Sequence, residues 1–204
     1  MSGGAPGDAL GSLLAAKTRE GWMPGAVWRV ELAGKVVSHG TTGFATLEPD
    51  PEPLSEATPF DLASLSKPLC TALLLLLLEQ EGLLSLESAA GDQIEELRGS
   101  AWASTSLQAL ACHTSGLPAW RSLYLSATSL DGYIKLIAGE SREAPAGGTL
   151  YSDLGYILLG ALLERLTGKS LDRLFEERIA EPLGLERIGF ATGARSFEDA
   201  AARG

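Results

Sequence analysis

Six consecutive leucines, Leu73 to Leu78, constrain this chain more than any other feature, because no exposed helix or strand carries such a run. The run is closed by Glu79, Gln80 and Glu81 and followed by Gly82. Its uninterrupted apolar length is far short of the ~20 residues that cross a bilayer. It therefore predicts a buried core helix, beginning near Ser64 and ended at Gly82, where glycine accepts the left-handed backbone of a helix terminus.

The head of that helix carries chemistry. Ser64 is followed three residues later by Lys67, within Phe60-Asp61-Leu62-Ala63-Ser64-Leu65-Ser66-Lys67-Pro68-Leu69. Residues three apart at a helix start share a face, about one turn apart. A hydroxyl and an amine so placed have the geometry of a serine nucleophile with a lysine base, needing no histidine. Read alone, the same spacing describes an exposed helix start.

A second group is Tyr151-Ser152-Asp153, heading a helix expected from Asp153 to Leu166 with Leu154, Ile157, Leu158, Ala161 and Leu162 on one stripe and Gly168 ending it. A tyrosine there can pass a proton, provided a cation such as Lys67 draws its hydroxyl below the usual ~10. Ser152 or Asp153 equally suits the N-cap of that helix. A third group, His113-Thr114-Ser115-Gly116-Leu117-Pro118, reads as a tight polar turn, with His113 a turn residue and not a catalytic one.

Between these groups, residues 10–20 form an amphipathic opening helix, and Ala26–Leu32 and Val36–Gly40 a hairpin turning at Gly34-Lys35. Residues 46–57 are a Pro-rich acidic loop, and 83–149 short helices and loops. Leu171–Ile179 is a further helix and Glu181-Pro182-Leu183-Gly184-Leu185 a turn. Two strands cannot cover so many apolar helices, which predicts that further strands are contributed by a complementary C-terminal segment or a second chain.

Composition narrows function. A formal net charge of -10 disfavours nucleic acid and anionic membranes as partners. The 45% hydrophobic and 21% charged content is that of a globular chain. Two cysteines, Cys70 and Cys112, sit in apolar surroundings and read as buried free thiols. With two histidines far apart, no metal site is expected, and no cofactor motif occurs: Gly168-Lys169-Ser170 lacks the upstream glycine of a phosphate loop, that position being Leu163. The first residues have neither basic region nor apolar core, which predicts a cytoplasmic protein. Trp120 and Tyr124, just after the His113 turn, are candidates to line a substrate pocket.

In order and approximate separation, these strings resemble the serine beta-lactamase and penicillin-binding-protein superfamily, in particular its class C-related branch with the family VIII esterases. The resemblance runs from Gly25 to Gly189 and also takes in Gly82-Leu83-Leu84-Ser85-Leu86, Leu158-Leu159-Gly160 and Pro182-Leu183-Gly184-Leu185. It implies an α+β fold: an antiparallel sheet flanked by helices plus an all-α lobe, with residues 1–84 and 150–204 in the mixed lobe, 85–149 in the helical one, and the late strands of the fold missing from this chain. It also implies an acyl-enzyme. Ser64 attacks a carbonyl, Lys67 takes its proton, Tyr151 serves the leaving group, and the Ser64 amide gives one oxyanion donor.

Two departures from the family pattern matter. Asp153 stands where the family usually has asparagine; an ionised carboxylate accepts hydrogen bonds but cannot donate them to an amide substrate. The late Lys-Thr-Gly or His-x-Gly strand, which brings the second oxyanion donor, is not found in this chain. The reading is a carboxylesterase on small acyl esters, with a beta-lactamase or D-Ala-D-Ala-type peptidase, and a non-catalytic truncated hydrolase domain, as alternatives.

Overall fold

The structure, a computed structural model, describes residues 6–191. The chain divides into two compact units, parted between Asp61 and Leu62.

The first unit is a helix against a small antiparallel sheet. Helix α1 (Pro6–Arg19) is followed by β1 (Gly25–Leu32), β2 (Lys35–Thr46) and the two-residue β3 (Glu52–Pro53), hydrogen-bonded in the order β1-β2-β3. The hairpin turns at Ala33-Gly34, one residue earlier than the expected Gly34-Lys35. Both turn residues have positive φ, 48° and 75°, the geometry that matches the twist of paired strands, and Lys35 already pairs with Leu32. The Trp28 ring lies over Gly40 of β2 and Gly11 of α1, so a Cβ at either glycine would fall within 3 Å of it. Its indole N–H donates to Ser38 Oγ at 2.9 Å. By contrast Trp22 is 76% exposed and belongs to no core.

The second unit is helical. Its nucleophile-bearing helix runs as a 3-10 turn (Ala63–Leu65), a π segment (Lys67–Ala72) and α2 (Leu73–Gln80), with Gly82 at φ 72° just after it. Leu74, Leu75 and Leu78 are buried, as expected of the leucine run. The same helix is long and apolar enough by composition to pass for a membrane span, but these three leucines face a protein core. Its other face is open: Leu65, Leu69, Leu73 and Leu76 are exposed at helical spacing.

Three short helices, α3 (Ala90–Gln93), α4 (Leu107–Ala111) and α5 (Leu130–Ala138), fill residues 85–149, where one Ala89–Ser106 bridge is the sole extended pairing. Helix α6 (Asp153–Thr167) crosses the core, and Gly168 at φ 67° ends it. Helix α7 (Leu171–Phe175) passes through a π segment (Glu176–Ala180) into α8 (Glu181–Leu183), so the expected turn at Glu181 is one more helical turn. Pro182, which has no N–H to donate, follows directly on the π segment, and Gly184 at φ 62° makes the exit. The core is built from α2, α4, α5, α6 and α7 around fully buried Trp102, Leu107, Ile134, Ile137, Leu158 and Leu159.

Candidate active site

Ala63 has φ 44°, a left-handed conformation costly for a residue with a Cβ, immediately before Ser64. The chain then tightens into a 3-10 turn closed by Leu65 N–H on the Leu62 carbonyl at 2.8 Å. With three residues per turn, side chains at i and i+3 eclipse. Lys67 accordingly lies over Ser64, and its ammonium donates to Ser64 Oγ at 3.1 Å. Ser64 is the second residue of that turn, a position whose N–H has no partner within the helix and is available to an oxyanion.

Helix α6 brings the other half. Ser152 is its N-cap: its Oγ accepts the Gly155 N–H at 3.4 Å and donates to the Pro118 carbonyl at 2.6 Å. The Asp153 N–H reaches the Ala119 carbonyl at 2.9 Å. These bonds tie the tyrosine segment to the loop after the His113 turn. Asp153 then meets Lys67, Oδ1 to Nζ at 2.7 Å, with side chains 39% and 16% exposed respectively. The ammonium is the partner of that otherwise buried oxygen.

Lys67 and Ser64 both act on the Tyr151 hydroxyl, and the Lys67 Nζ stands 5.0 Å from the Tyr151 ring centre and 5.7 Å from that of Tyr156. Charge follows geometry. Burial alone would push the Lys67 amine down, but the Asp153 carboxylate and the Tyr151 hydroxyl outweigh it and hold the amine above its ordinary value. The Lys67 and Ser64 hydrogen bonds draw the Tyr151 hydroxyl below its own. An ammonium that donates to Ser64 Oγ leaves the serine O–H free to point at the tyrosine oxygen.

Sequence reasoning passed over His113. It has φ 58°, as a turn residue can, but it does more than turn the chain. Its ring packs on Tyr151 with centroids 4.5 Å apart and on Tyr156 at 5.2 Å, and its Nδ1 accepts the Ser152 N–H at 3.0 Å. Burial and the nearby Lys67 cation push its pKa down.

Ser64, Lys67, Tyr151 and Asp153 are thus brought together. Trp120 follows directly on the Ala119 that binds Asp153, its carbonyl held by Arg121 at 2.8 Å, and its ring is exposed. Tyr124, on the 3-10 turn Leu123–Leu125, is exposed, and among the described residues no hydrogen bond or ring contact joins it to the cluster. Cys112, read as buried, is the exposed C-cap of α4; only Cys70 is buried.

The family profile described as Beta-lactamase matches residues 10–204. Penicillin-binding protein 4* of Bacillus subtilis is 31% identical over 163 residues, 74% of this chain and 35% of its own length. Esterase EstB of Burkholderia gladioli is 33% identical over 195 residues, 85% of this chain and 49% of its own. A solved class C beta-lactamase superposes with a TM-score of 0.77 at 26% identity, over 88% of this chain and 49% of that one. The chain therefore spans about half, or less, of the length of these relatives.

Proposed function

Since this chain belongs to the Beta-lactamase family of serine hydrolases, we propose that it forms an acyl-enzyme at Ser64 and hydrolyses small acyl esters. The observation that carries the proposal is the cluster in which Lys67 donates to Ser64 Oγ at 3.1 Å with the Tyr151 ring 5.0 Å from the same ammonium.

In this reading Lys67 remains an ammonium, held by Asp153, and Tyr151 as phenolate is the base. The Ser64 proton passes to the tyrosine oxygen as Oγ bonds the substrate carbonyl carbon, and the carbonyl electron pair moves onto an oxyanion facing the Ser64 N–H. Collapse breaks the ester bond, and the departing alkoxide takes the proton from Tyr151. Water then attacks the acyl carbonyl, gives its proton to Tyr151, and expels Ser64, which regains that proton. Trp120 lines the acyl side in this proposal, and Tyr124 does so only if its turn moves inward.

Asp153 supports esters over beta-lactams and peptides, because it is committed to Lys67 and has no N–H to offer an amide carbonyl. The relatives' greater length is the support for a further segment that brings the second oxyanion donor.

A fluorophosphonate probe followed by peptide mass spectrometry tests it. An adduct at Ser64, absent in Ser64→Ala, is the expected result; no adduct on wild-type protein refutes the nucleophile. Faster turnover of a p-nitrophenyl ester than of nitrocefin is expected, and the reverse order would return the protein to the beta-lactamase alternative.

A further inference from the structure

His113 touches the chain on both sides of Tyr151. Its backbone carbonyl accepts the Leu150 N–H at 2.9 Å, and its ring Nδ1 accepts the Ser152 N–H at 3.0 Å. Between those two anchors its ring lies against the tyrosine ring, 4.5 Å between centroids. The same ring also meets Tyr156, 5.2 Å between centroids, whose own hydroxyl donates to the Ala111 carbonyl at 3.0 Å. A tyrosine that exchanges a proton with Ser64 must keep its oxygen within hydrogen-bond reach of the serine, and side-chain freedom at Tyr151 would spoil that distance.

We propose that His113 is the positioning residue for Tyr151, fixing the backbone on both sides of the tyrosine and bracing its ring from behind. The inference rests on the Ser64–Tyr151 reading above and adds a residue to it. It also fixes a tautomer. A backbone N–H can only donate, so Nδ1 must carry the lone pair and the proton of the neutral ring must sit on Nε2. A protonated ring would turn an N–H toward the Ser152 N–H and open one side of the clamp.

The groups facing the ring decide when that happens. Lys67 from the nucleophile helix opposes protonation, Asp153 at the head of α6 favours it, Tyr156 faces the ring as a neutral phenol and Tyr151 as one that ionises only in the reacting form, with Cys112 next along the chain. Burial and Lys67 prevail, so the clamp stays closed at neutral pH and opens on the acid side.

Two variants respect the positive φ of 58° and differ only in the ring's work. Asparagine tolerates that backbone and offers a side-chain oxygen near the Nδ1 position, without titrating; glycine tolerates it and offers nothing. The rate of fluorophosphonate labelling of Ser64 is the readout. His113→Gly should label about 10-fold more slowly, the size of one lost hydrogen bond. His113→Asn should return to within about threefold of wild type and lose the extra acid-side fall that ring protonation, setting in below the ordinary histidine value of ~6.5, adds to the Tyr151 profile. Wild-type labelling rate in a folded His113→Gly protein, or His113→Asn as slow as His113→Gly, overturns the inference.

Nitrogen-15 NMR of the wild-type histidine rings reads the tautomer without any turnover, with the His113→Asn spectrum identifying the signal. An Nε2–H ring is the expected result, and an Nδ1–H ring overturns the inference even if glycine prevents folding. Failure of wild-type protein to label at all would instead strike at Ser64, leaving the NMR result to judge His113.

Discussion

Replacing Asp153 by asparagine removes one negative charge 2.7 Å from the Lys67 ammonium while keeping size and shape. Two unit charges ~4 Å apart interact by about 4 kcal/mol at an effective dielectric of 20 and about 1 kcal/mol in bulk water. Lys67 is mostly shielded at 16% exposure but Asp153 is open at 39%, so the pair lies toward the aqueous limit. A net coupling of about 1 to 2 kcal/mol follows for the ion pair. The sign is the same for both partners. Asp153 raises Lys67, and it also opposes ionisation of Tyr151, so its removal lowers both. Because the phenolate is the reacting form, the rise of activity with pH should begin at lower pH in Asp153→Asn. The rate of fluorophosphonate labelling of Ser64, followed from acid to alkaline pH, reads the displacement directly. Superimposable wild-type and Asp153→Asn profiles would refute the coupling and with it the assignment of Tyr151 as base.

Other outcomes are equally checkable. Cys112 should react at once with a disulfide reagent, whereas Cys70, buried and with its thiol pushed up to about 12, should react only on unfolding; two fast thiols would contradict this. Leu78→Ala, at a residue 1% exposed, should cost about 2–5 kcal/mol by denaturant titration, while Leu76→Ala, 53% exposed two residues earlier, should cost under ~0.5 kcal/mol. Gly168→Ala should cost about 1–2 kcal/mol through its φ of 67° alone, since open space surrounds the added methyl. Protonation of His113 is disfavoured in the folded protein, so stability should be full above pH ~6.5 and decline as pH falls below it, and His113→Asn should flatten that decline.

What could be read in the sequence was what short-range rules govern. The Ser64–Lys67 spacing, the leucine helix stopped at Gly82 and the α6 helix stopped at Gly168 all follow from periodicity and chain punctuation. The hairpin was legible too, but its turn was misplaced by one residue because Ala33 takes a positive φ that alanine seldom adopts. Cys112 was misread because its apolar neighbours suggested burial, whereas the five-residue α4 ends beneath it. The work of His113 was hidden for a different reason. It is exerted across 39 positions, on Ser152, by a ring whose sequence neighbours announce only a turn. A histidine entering a tight turn ahead of Ser-Gly-Leu-Pro, paired with a later tyrosine at a helix cap, is the pattern that could have raised it.

The helix beneath Ser64 is overwound in one stretch and underwound in the next. Its 3-10 turn is tighter than an α-helix and sets the phase between serine and lysine; the π segment after Lys67 is looser and returns the phase to what Leu74, Leu75 and Leu78 need to face inward. Pro68 falls within the loosened stretch. Catalytic timing and core timing are therefore kept by different gears on one shaft. Adding or removing a residue between Lys67 and Leu73 would leave the serine–lysine pair intact and rotate it about the helix axis, away from Tyr151 and Asp153, while the leucines kept their seats. Such a protein would displace the buried Cys70 and Thr71 and aim its nucleophile at the wrong wall.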